Sequence, residues 1–267
     1  MTDNSWFEHR MPRCLFILAT TLTLALTTPA AQADLPETIA AIKPSIVVVG
    51  TFSPLRNPSF LMRGTGFALD NGSMIATNAH VIPPVLDSSQ QETLAVLVRQ
   101  GNELHRRNAS LQVTDADHDL ALLRISGPSL PALKIKPAAD VREGQAVAFI
   151  GFPIGGSLGF SPVTHRGIIS SITPIALPAG NSAQLKEKPI RRLRSGAFSI
   201  YQLDATAYPG NSGGPLFDVD TGEVVGILNM VFIKGTKESA LEKPSGISYA
   251  IPASFLLDLI ARASSNR

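Results

Sequence analysis

The sequence predicts an all-β protein, built from a pair of β-barrels with a short helix at each end. Short apolar runs bounded by Gly, Pro, Asn and Asp recur along the chain, whereas helical periodicity is confined to its two ends. Residues 34–267 are enough for one domain of this kind. The runs predicted as strands are Ile46–Val49, Met74–Ala76, Leu94–Val98, Ala146–Ile150, Gly167–Ile172 and Val224–Leu228. Many short strands with few helices are typical of barrel architectures.

The remaining segments flank and connect these strands. One helix is predicted over Pro36–Ile42 and a second over 253–264, where apolar residues recur at helical spacing. The Pro- and Gly-containing stretch Ser126–Pro137 predicts the connection between the barrels. The first barrel is therefore expected at about 46–130 and the second at about 138–252.

The N-terminus has the three parts of a secretory signal peptide. Arg10 and Arg13 form a basic region, an apolar run follows at 15–26, and Ala31-Gln32-Ala33 offers a small-residue cleavage site. The apolar run is too short for an ordinary membrane span. We therefore expect residues 1–33 to be removed and the protein to be exported, periplasmic or secreted, without membrane association after cleavage. An uncleaved anchor is the alternative.

Cysteine usage and charge exclude several classes of function. The only cysteine, Cys14, lies in this leader, so the exported chain would have no disulfide. Neither cysteine pairs nor paired-histidine spacings occur, and no metal and no cofactor are expected. A cluster of basic residues between positions 186 and 194 indicates a solvated loop. Binding of this cluster to an acidic surface or to lipid headgroups is the alternative. No aromatic residues interleave with it, so no nucleic acid is expected as a partner. The cluster consists of Lys186, Lys188, Arg191, Arg192 and Arg194.

The segment Gly210–Leu216 places Ser212 between closely spaced glycines. Such a turn can hold a nucleophilic hydroxyl and aim backbone N–H groups at a substrate oxygen. The same pattern fits the nucleophile elbow of α/β-hydrolases or a glycine-rich turn without chemistry. No histidine follows Ser212, which excludes the α/β-hydrolase order of serine, acid and histidine. The order histidine, aspartate, serine stays open.

Two further segments offer the partners that a nucleophilic serine needs. His80 ends an apolar, strand-like run, which is also compatible with a packed histidine at a strand end. Asp115, Asp117 and Asp119 stand two residues apart, so on a strand they would share one face. Asp119 adjoins the apolar run Leu120–Leu123 and is expected to be the most buried, whereas the other two are expected to be solvated. A buried aspartate needs a hydrogen-bond donor, and an imidazole N–H suits it.

Five segments, in this order, resemble the conserved blocks of the HtrA/Deg serine proteases. They are Gly64–Phe67, Thr77–Val81, Asp119–Leu123, Gly210–Leu216 and Gly246–Pro252. The resemblance implies a trypsin-like fold of two six-stranded barrels. It also implies that His80 is the general base, Asp119 its orienting partner and Ser212 the nucleophile. The oxyanion hole would lie in Gly210, Asn211 and Ser212, with the N–H groups of Gly210 and Ser212 as its donors.

The function implied is that of a serine endopeptidase that hydrolyses unfolded or exposed polypeptide segments through an acyl-enzyme. A non-catalytic binding or scaffold protein on the same fold and an esterase with the same triad are the alternatives. A specificity pocket for small or medium apolar side chains is expected at Thr206, Asn229, Met230 and Val231. Thr206 stands six residues before Ser212, where a preference for Arg or Lys would need an acid. The resemblance further implies a homo-oligomer, a trimer, while no PDZ domain is expected in this chain.

Overall fold

Twelve antiparallel strands among the described residues form two closed barrels of six strands each. The computed structural model describes residues 34–136, 140–156, 159–174, 198–229 and 247–265. The expected signal peptide, the basic cluster, Met230 and Val231 lie outside these residues. The predicted fold class is confirmed.

The first barrel has the strand order β1-β2-β3-β6-β5-β4 and closes through pairing of β4 with β1. Its strands are β1 (Ile46–Phe52), β2 (Phe60–Leu69), β3 (Met74–Asn78), β4 (Thr93–Gln100), β5 (Glu103–Asp115) and β6 (Leu120–Ile125). A one-turn 3-10 helix, Ala79–Val81, follows β3 directly. It lies at the end of the barrel where β3 and β6 pair.

The second barrel has the order β10-β11-β12-β9-β8-β7 and closes through pairing of β10 with β7. Its strands are β7 (Ala146–Gly151), β8 (Val163–Pro174), β9 (Ser199–Asp204), β10 (Pro215–Asp218), β11 (Val224–Asn229) and β12 (Ile247–Pro252). Helix α1 (Leu35–Ile42) precedes the barrels and helix α2 (Ala253–Ser265) follows them. Within the described residues, no helix is both long enough and apolar enough to cross a membrane.

Strand β1 is buried on both faces because its residues pack in two hydrophobic clusters. Val47 and Val49 point into the first barrel. Ile46 and Val48 pack in a second cluster, together with residues of the other barrel and of α2, such as Leu256. This double burial explains why β1 reads as a continuous apolar run instead of an alternating one.

The connection between the barrels is held by backbone pairing and one ion pair. Ile135 forms a β-bridge with Val224, and the backbone N–H of Leu133 donates to the carbonyl of Ala68 at 2.9 Å. Lys136 Nζ lies 2.8 Å from Asp218 Oδ2. Desolvation alone would raise the pKa of Asp218, but the bonds from Lys136 and from the backbone N–H groups of its own turn keep that pKa below the usual value.

Asp115 is buried, whereas the sequence predicts that it is solvated. The three aspartates do not share a strand, because β5 ends at Asp115 and a turn leads to Asp119. The Asp115 carboxylate is buried. Its Oδ2 lies 2.9 Å from Nδ1 of the His118 ring and 2.5 Å from Nη2 of Arg262, which belongs to α2. The His118 ring stacks on Phe255 of the same helix, with centroids 3.9 Å apart. Asp115 therefore anchors α2 to the first barrel.

We expect Asp115→Asn to lower the free energy of unfolding at pH 7 by about 1–3 kcal/mol, the usual loss for buried hydrogen bonds to a charged group. Burial by itself would raise the pKa of Asp115, but the His118 and Arg262 bonds hold it below its ordinary value. The stabilisation is therefore present above the unfolded-state pKa of about 3.9 and is lost as pH falls through the lower folded-state pKa. Urea unfolding at pH 7, 5, 4, 3 and 2 measures the difference.

The matched control is Asp117→Asn, whose side chain is exposed on the same turn. It should unfold like the wild type at every pH. A destabilisation by Asp115→Asn that stays constant down to pH 2 would contradict an electrostatic anchor.

Candidate active site

His80 and Asp119 form a hydrogen-bonded pair. His80 lies in the 3-10 helix after β3, and Asp119 immediately precedes β6, the strand that pairs with β3. The His80 ring Nδ1 lies 2.6 Å from Asp119 Oδ2, and the His80 backbone N–H donates to Asp119 Oδ1 at 2.9 Å. Because Nδ1 faces a carboxylate, it carries the proton, and Nε2 is left as the basic nitrogen. About a third of the His80 side chain is exposed (32%), so the ring is partly accessible.

The backbone of Asp119 has a conformation that suits this contact. Its φ is 55°, in the left-handed region that aspartate tolerates better than most residues. Its carbonyl accepts the N–H of Ala79 at 3.0 Å and the Asn78 side-chain amide at 3.0 Å. The turn that contains Asp119 is therefore tied to the turn that contains His80 by main-chain as well as side-chain bonds.

Asn229 brings the second barrel to the same carboxylate. It ends β11, is fully buried, and donates from Nδ2 to Asp119 Oδ2 at 2.7 Å. The sequence predicts Asn229 as a residue of the specificity pocket and does not predict this contact. A possible signal was present, because an asparagine at the end of an apolar strand must find a partner when buried. Its partner, 110 residues away in sequence, could not be identified without the structure.

Ser212 lies in the turn before β10 and is tied to the first barrel through Thr65 of β2. The Thr65 backbone N–H donates to the Ser212 carbonyl at 2.8 Å, and Thr65 Oγ1 donates to the Gly210 carbonyl at 2.7 Å. Thr65 Oγ1 also accepts the N–H of Phe152, just after β7, at 3.2 Å. Among the described residues, the Ser212 hydroxyl has no hydrogen-bond partner. None of these residues therefore holds the Ser212 hydroxyl in a structural hydrogen bond.

The turn leaves two backbone donors unused. The N–H of Asn211 donates to the Tyr208 carbonyl at 3.0 Å and that of Gly213 to the Leu228 carbonyl at 2.9 Å. Within the described part of the chain, the N–H groups of Gly210 and Ser212 have no acceptor. Two unpaired donors that flank one residue are the arrangement expected of an oxyanion hole. The Asn211 N–H, by contrast, is already engaged.

The Asn211 side chain points into the protein. It is fully buried, and neither atom of its amide has a partner among the described residues. The close approach of β7 is possible because Gly151 has no side chain, since a Cβ there would lie 2.7 Å from Asn211 Oδ1. Thr206, the other predicted pocket residue in the described chain, is half-buried. Its segment is held by Ser248, which donates to the Ala205 carbonyl at 2.7 Å and accepts the Ala207 N–H at 2.9 Å.

Gly213 is needed for both its conformation and its lack of a side chain. Its φ is 85°, and a Cβ would lie 2.2 Å from the Thr65 carbonyl oxygen and 2.3 Å from Thr77 Oγ1. The Thr65 carbonyl oxygen belongs to strand β2 of a closed barrel, so it cannot move away without distortion of that strand. No group of three or more His, Cys, Asp or Glu residues in the described ranges could hold a metal ion.

The matches with known proteins agree with this geometry. The family model of the trypsin-like peptidase domain matches residues 64–227, which include His80, Asp119 and Ser212. The chain belongs to the trypsin-like peptidase family. A probable periplasmic serine endoprotease, DegP-like, from Pseudomonas fluorescens is 34% identical over 73% of this chain and 34% of its own. The serine protease HTRA3 of Rattus norvegicus is 33% identical over 83% of this chain and 42% of its own.

The chain thus spans between a third and a half of the length of these curated relatives. Solved structures with the same fold include the HtrA-type protease AlgW with a tripeptide, at a TM-score of 0.61 and 23% identity over 86% of this chain and 63% of that one. Deg5 has a TM-score of 0.60 and 23% identity over 84% of this chain and 90% of its own.

Gly213→Ala should destabilise the protein by at least about 3 kcal/mol, because the added Cβ overlaps main-chain atoms in addition to forcing a left-handed alanine. Gly101→Ala is the matched control: Gly101 also has a positive φ (60°), but a Cβ there meets nothing within 4 Å. The control should lose only about 1–2 kcal/mol, the cost of the conformation alone. Urea unfolding of both variants tests this, and equal losses would contradict the packing argument.

Proposed function

We propose that this protein is a serine endopeptidase in which Ser212 is the nucleophile, His80 the general base and Asp119 the residue that orients the imidazole. The observation that carries the proposal is the His80–Asp119 pair, whose Nδ1 contact leaves Nε2 as the basic nitrogen of a partly exposed ring. The uncommitted Ser212 hydroxyl and the unpaired N–H groups of Gly210 and Ser212 support it. In free enzymes the bond between nucleophile and base is often long and tightens only when substrate binds.

The reaction follows from these groups. Ser212 Oγ attacks the scissile carbonyl carbon while His80 Nε2 takes the hydroxyl proton. The resulting oxyanion is stabilised by the N–H groups of Gly210 and Ser212. His80 then gives the proton to the leaving amine as the C–N bond breaks, which leaves an acyl-enzyme at Ser212. Water, deprotonated by His80, hydrolyses this ester and regenerates the serine.

The substrates we propose are unfolded or exposed polypeptide segments with small or medium apolar side chains at the pocket formed by Thr206, Asn229, Met230 and Val231. The half-buried neutral Thr206 supports this preference over one for Arg or Lys. Export to the periplasm is proposed from the leader at residues 1–33 and from the DegP-like relatives that are described as periplasmic. We also propose a homo-oligomer, a trimer, on the resemblance to the HtrA proteases.

Ser212→Ala should abolish cleavage of unfolded casein and labelling by a fluorophosphonate probe without loss of the fold. The loss expected on removal of the nucleophile is on the order of 10⁶ in turnover. A scaffold protein would fail to cleave or label even in its wild-type form. An esterase would hydrolyse a small ester and leave casein intact.

Asp119→Asn should reduce turnover about 10⁴-fold, because an amide in place of the carboxylate favours the wrong imidazole tautomer. Asp117→Asn is the matched control, since Asp117 lies on the same turn with its side chain exposed. Initial rates on casein for both variants, at equal active concentration, measure the effect. If Asp117→Asn lost activity and Asp119→Asn kept it, the residue that orients the imidazole would be Asp117 and not Asp119.

A further inference from the structure

Arg63 is an exposed cation held next to the His80–Asp119 pair. It lies on β2 and donates from Nε to the carbonyl of Val81 at 2.9 Å. Val81 follows His80 in the same 3-10 helix and is buried, so its carbonyl is a fixed point. The next residue, Gly64, contacts the nucleophile segment directly, since a Cβ there would lie 2.9 Å from the Ser212 carbonyl oxygen. Arg63 is therefore within one residue of the chain segment that touches Ser212.

The charge of Arg63 is not neutralised in the described part of the protein. No carboxylate there lies within 4 Å of its guanidinium, and the bond to Val81 is its only hydrogen bond. Among the described arginines, Arg56 pairs with Glu92 at 2.7 Å and Arg262 pairs with Asp115 at 2.5 Å. Arg63 shares its lack of a carboxylate partner with the remaining described arginines, and it differs from them in its bond to the residue after His80. The single bond from Nε leaves both Nη groups free. Those two groups can bind one carboxylate end-on with two parallel hydrogen bonds.

The position of Arg63 indicates which side of the scissile bond this residue can contact. In the proposed reaction, His80 gives its proton to the leaving amine, so the segment after the scissile bond departs past the helix that contains His80. Arg63 is fixed to that helix through Val81. In the proposed assignment, the pocket segment around Thr206 in the second barrel binds the residue on the other side of the scissile bond. An Arg63 contact is accordingly expected with residues that follow the cleaved bond.

We propose that Arg63 is a specificity-determining residue that recognises an Asp or Glu side chain within the first few residues after the scissile bond. The inference rests on the proposed endopeptidase function and adds a substrate class to it: segments that combine an apolar residue before the cleaved bond with an acidic residue after it. The acidic side chain would supply the carboxylate partner that Arg63 lacks among the described residues.

The test uses internally quenched peptides that are identical before the scissile bond and carry Glu, Gln or Lys at the first, second or third position after it. At one of these positions, the wild type should show a kcat/KM about two- to fivefold higher for Glu than for Gln, the range expected of an exposed ion pair. The ratio should approach one at 0.5 M salt, because exposed charges are then screened. Arg63→Gln should abolish the ratio, and Arg63→Glu should favour Lys instead.

Arg142→Gln is the matched control. Arg142 is equally exposed, but it precedes β7, whose other end, at Gly151, contacts Asn211. A six-residue strand separates the two ends by about 20 Å, so this variant should keep the Glu preference unchanged. A wild-type ratio of one at all three positions, or a ratio that survives in Arg63→Gln, would overturn the role of Arg63.

A chromogenic ester without residues after the scissile bond separates this outcome from failure of the proposed function. Ester and peptides that are all cleaved, with Ser212→Ala inactive, support the endopeptidase and leave the Glu ratio to decide on Arg63. Ester cleaved and all peptides intact would replace the endopeptidase by an esterase and remove the role of Arg63 with it. Equal ester rates before and after the change in salt show that a falling Glu ratio reflects the ion pair alone.

Discussion

The Asp119 carboxylate is the group on which the candidate site depends, because both barrels donate to it. The His80 backbone and ring reach it from the first barrel, and Asn229 reaches it from the second. A buried carboxylate is tolerated only when donors surround it, so each donor also supports the others. The orientation of the imidazole is in this way coupled to the docking of the two barrels.

Close backbone approach is the second constraint. The turn that contains Ser212 lies against β2 and β7 because Gly64, Gly151 and Gly213 leave space where any Cβ would overlap neighbouring atoms. Thr65 then joins the three elements with one N–H and one hydroxyl. The segment of Ser212 is thus held by main-chain and side-chain atoms of a different barrel. In the proposed reaction, a serine held in this way would need little reorganisation when a substrate binds.

Two buried aspartates and the exposed Arg63 have different roles. Asp115 pairs with Arg262 and Asp218 pairs with Lys136, and these ion pairs fix α2 and the connection between the barrels. Arg63 is tethered to a carbonyl, and its charge has no counterion in the described chain. The two ion pairs stabilise the fold, whereas the exposed guanidinium of Arg63 is held at the residue that follows His80.

Local sequence was sufficient for the fold class and the terminal helices, because apolar periodicity is a local property. The roles of His80, Asp119 and Ser212 were implied by the resemblance of their segments to the HtrA/Deg proteases, and they stay predictions. Six of the twelve strands, β2, β5, β6, β9, β10 and β12, are not among the runs predicted as strands, and β8 begins at Val163, before the predicted run. Exposed positions interrupt the apolar pattern in several of them, most of all in β5. Only the tertiary structure decided that Asp115 is buried, that Asp119 adopts a left-handed backbone and that Asn229 binds its carboxylate. These features depend on contacts between residues up to 147 positions apart, whose energies no local pattern encodes.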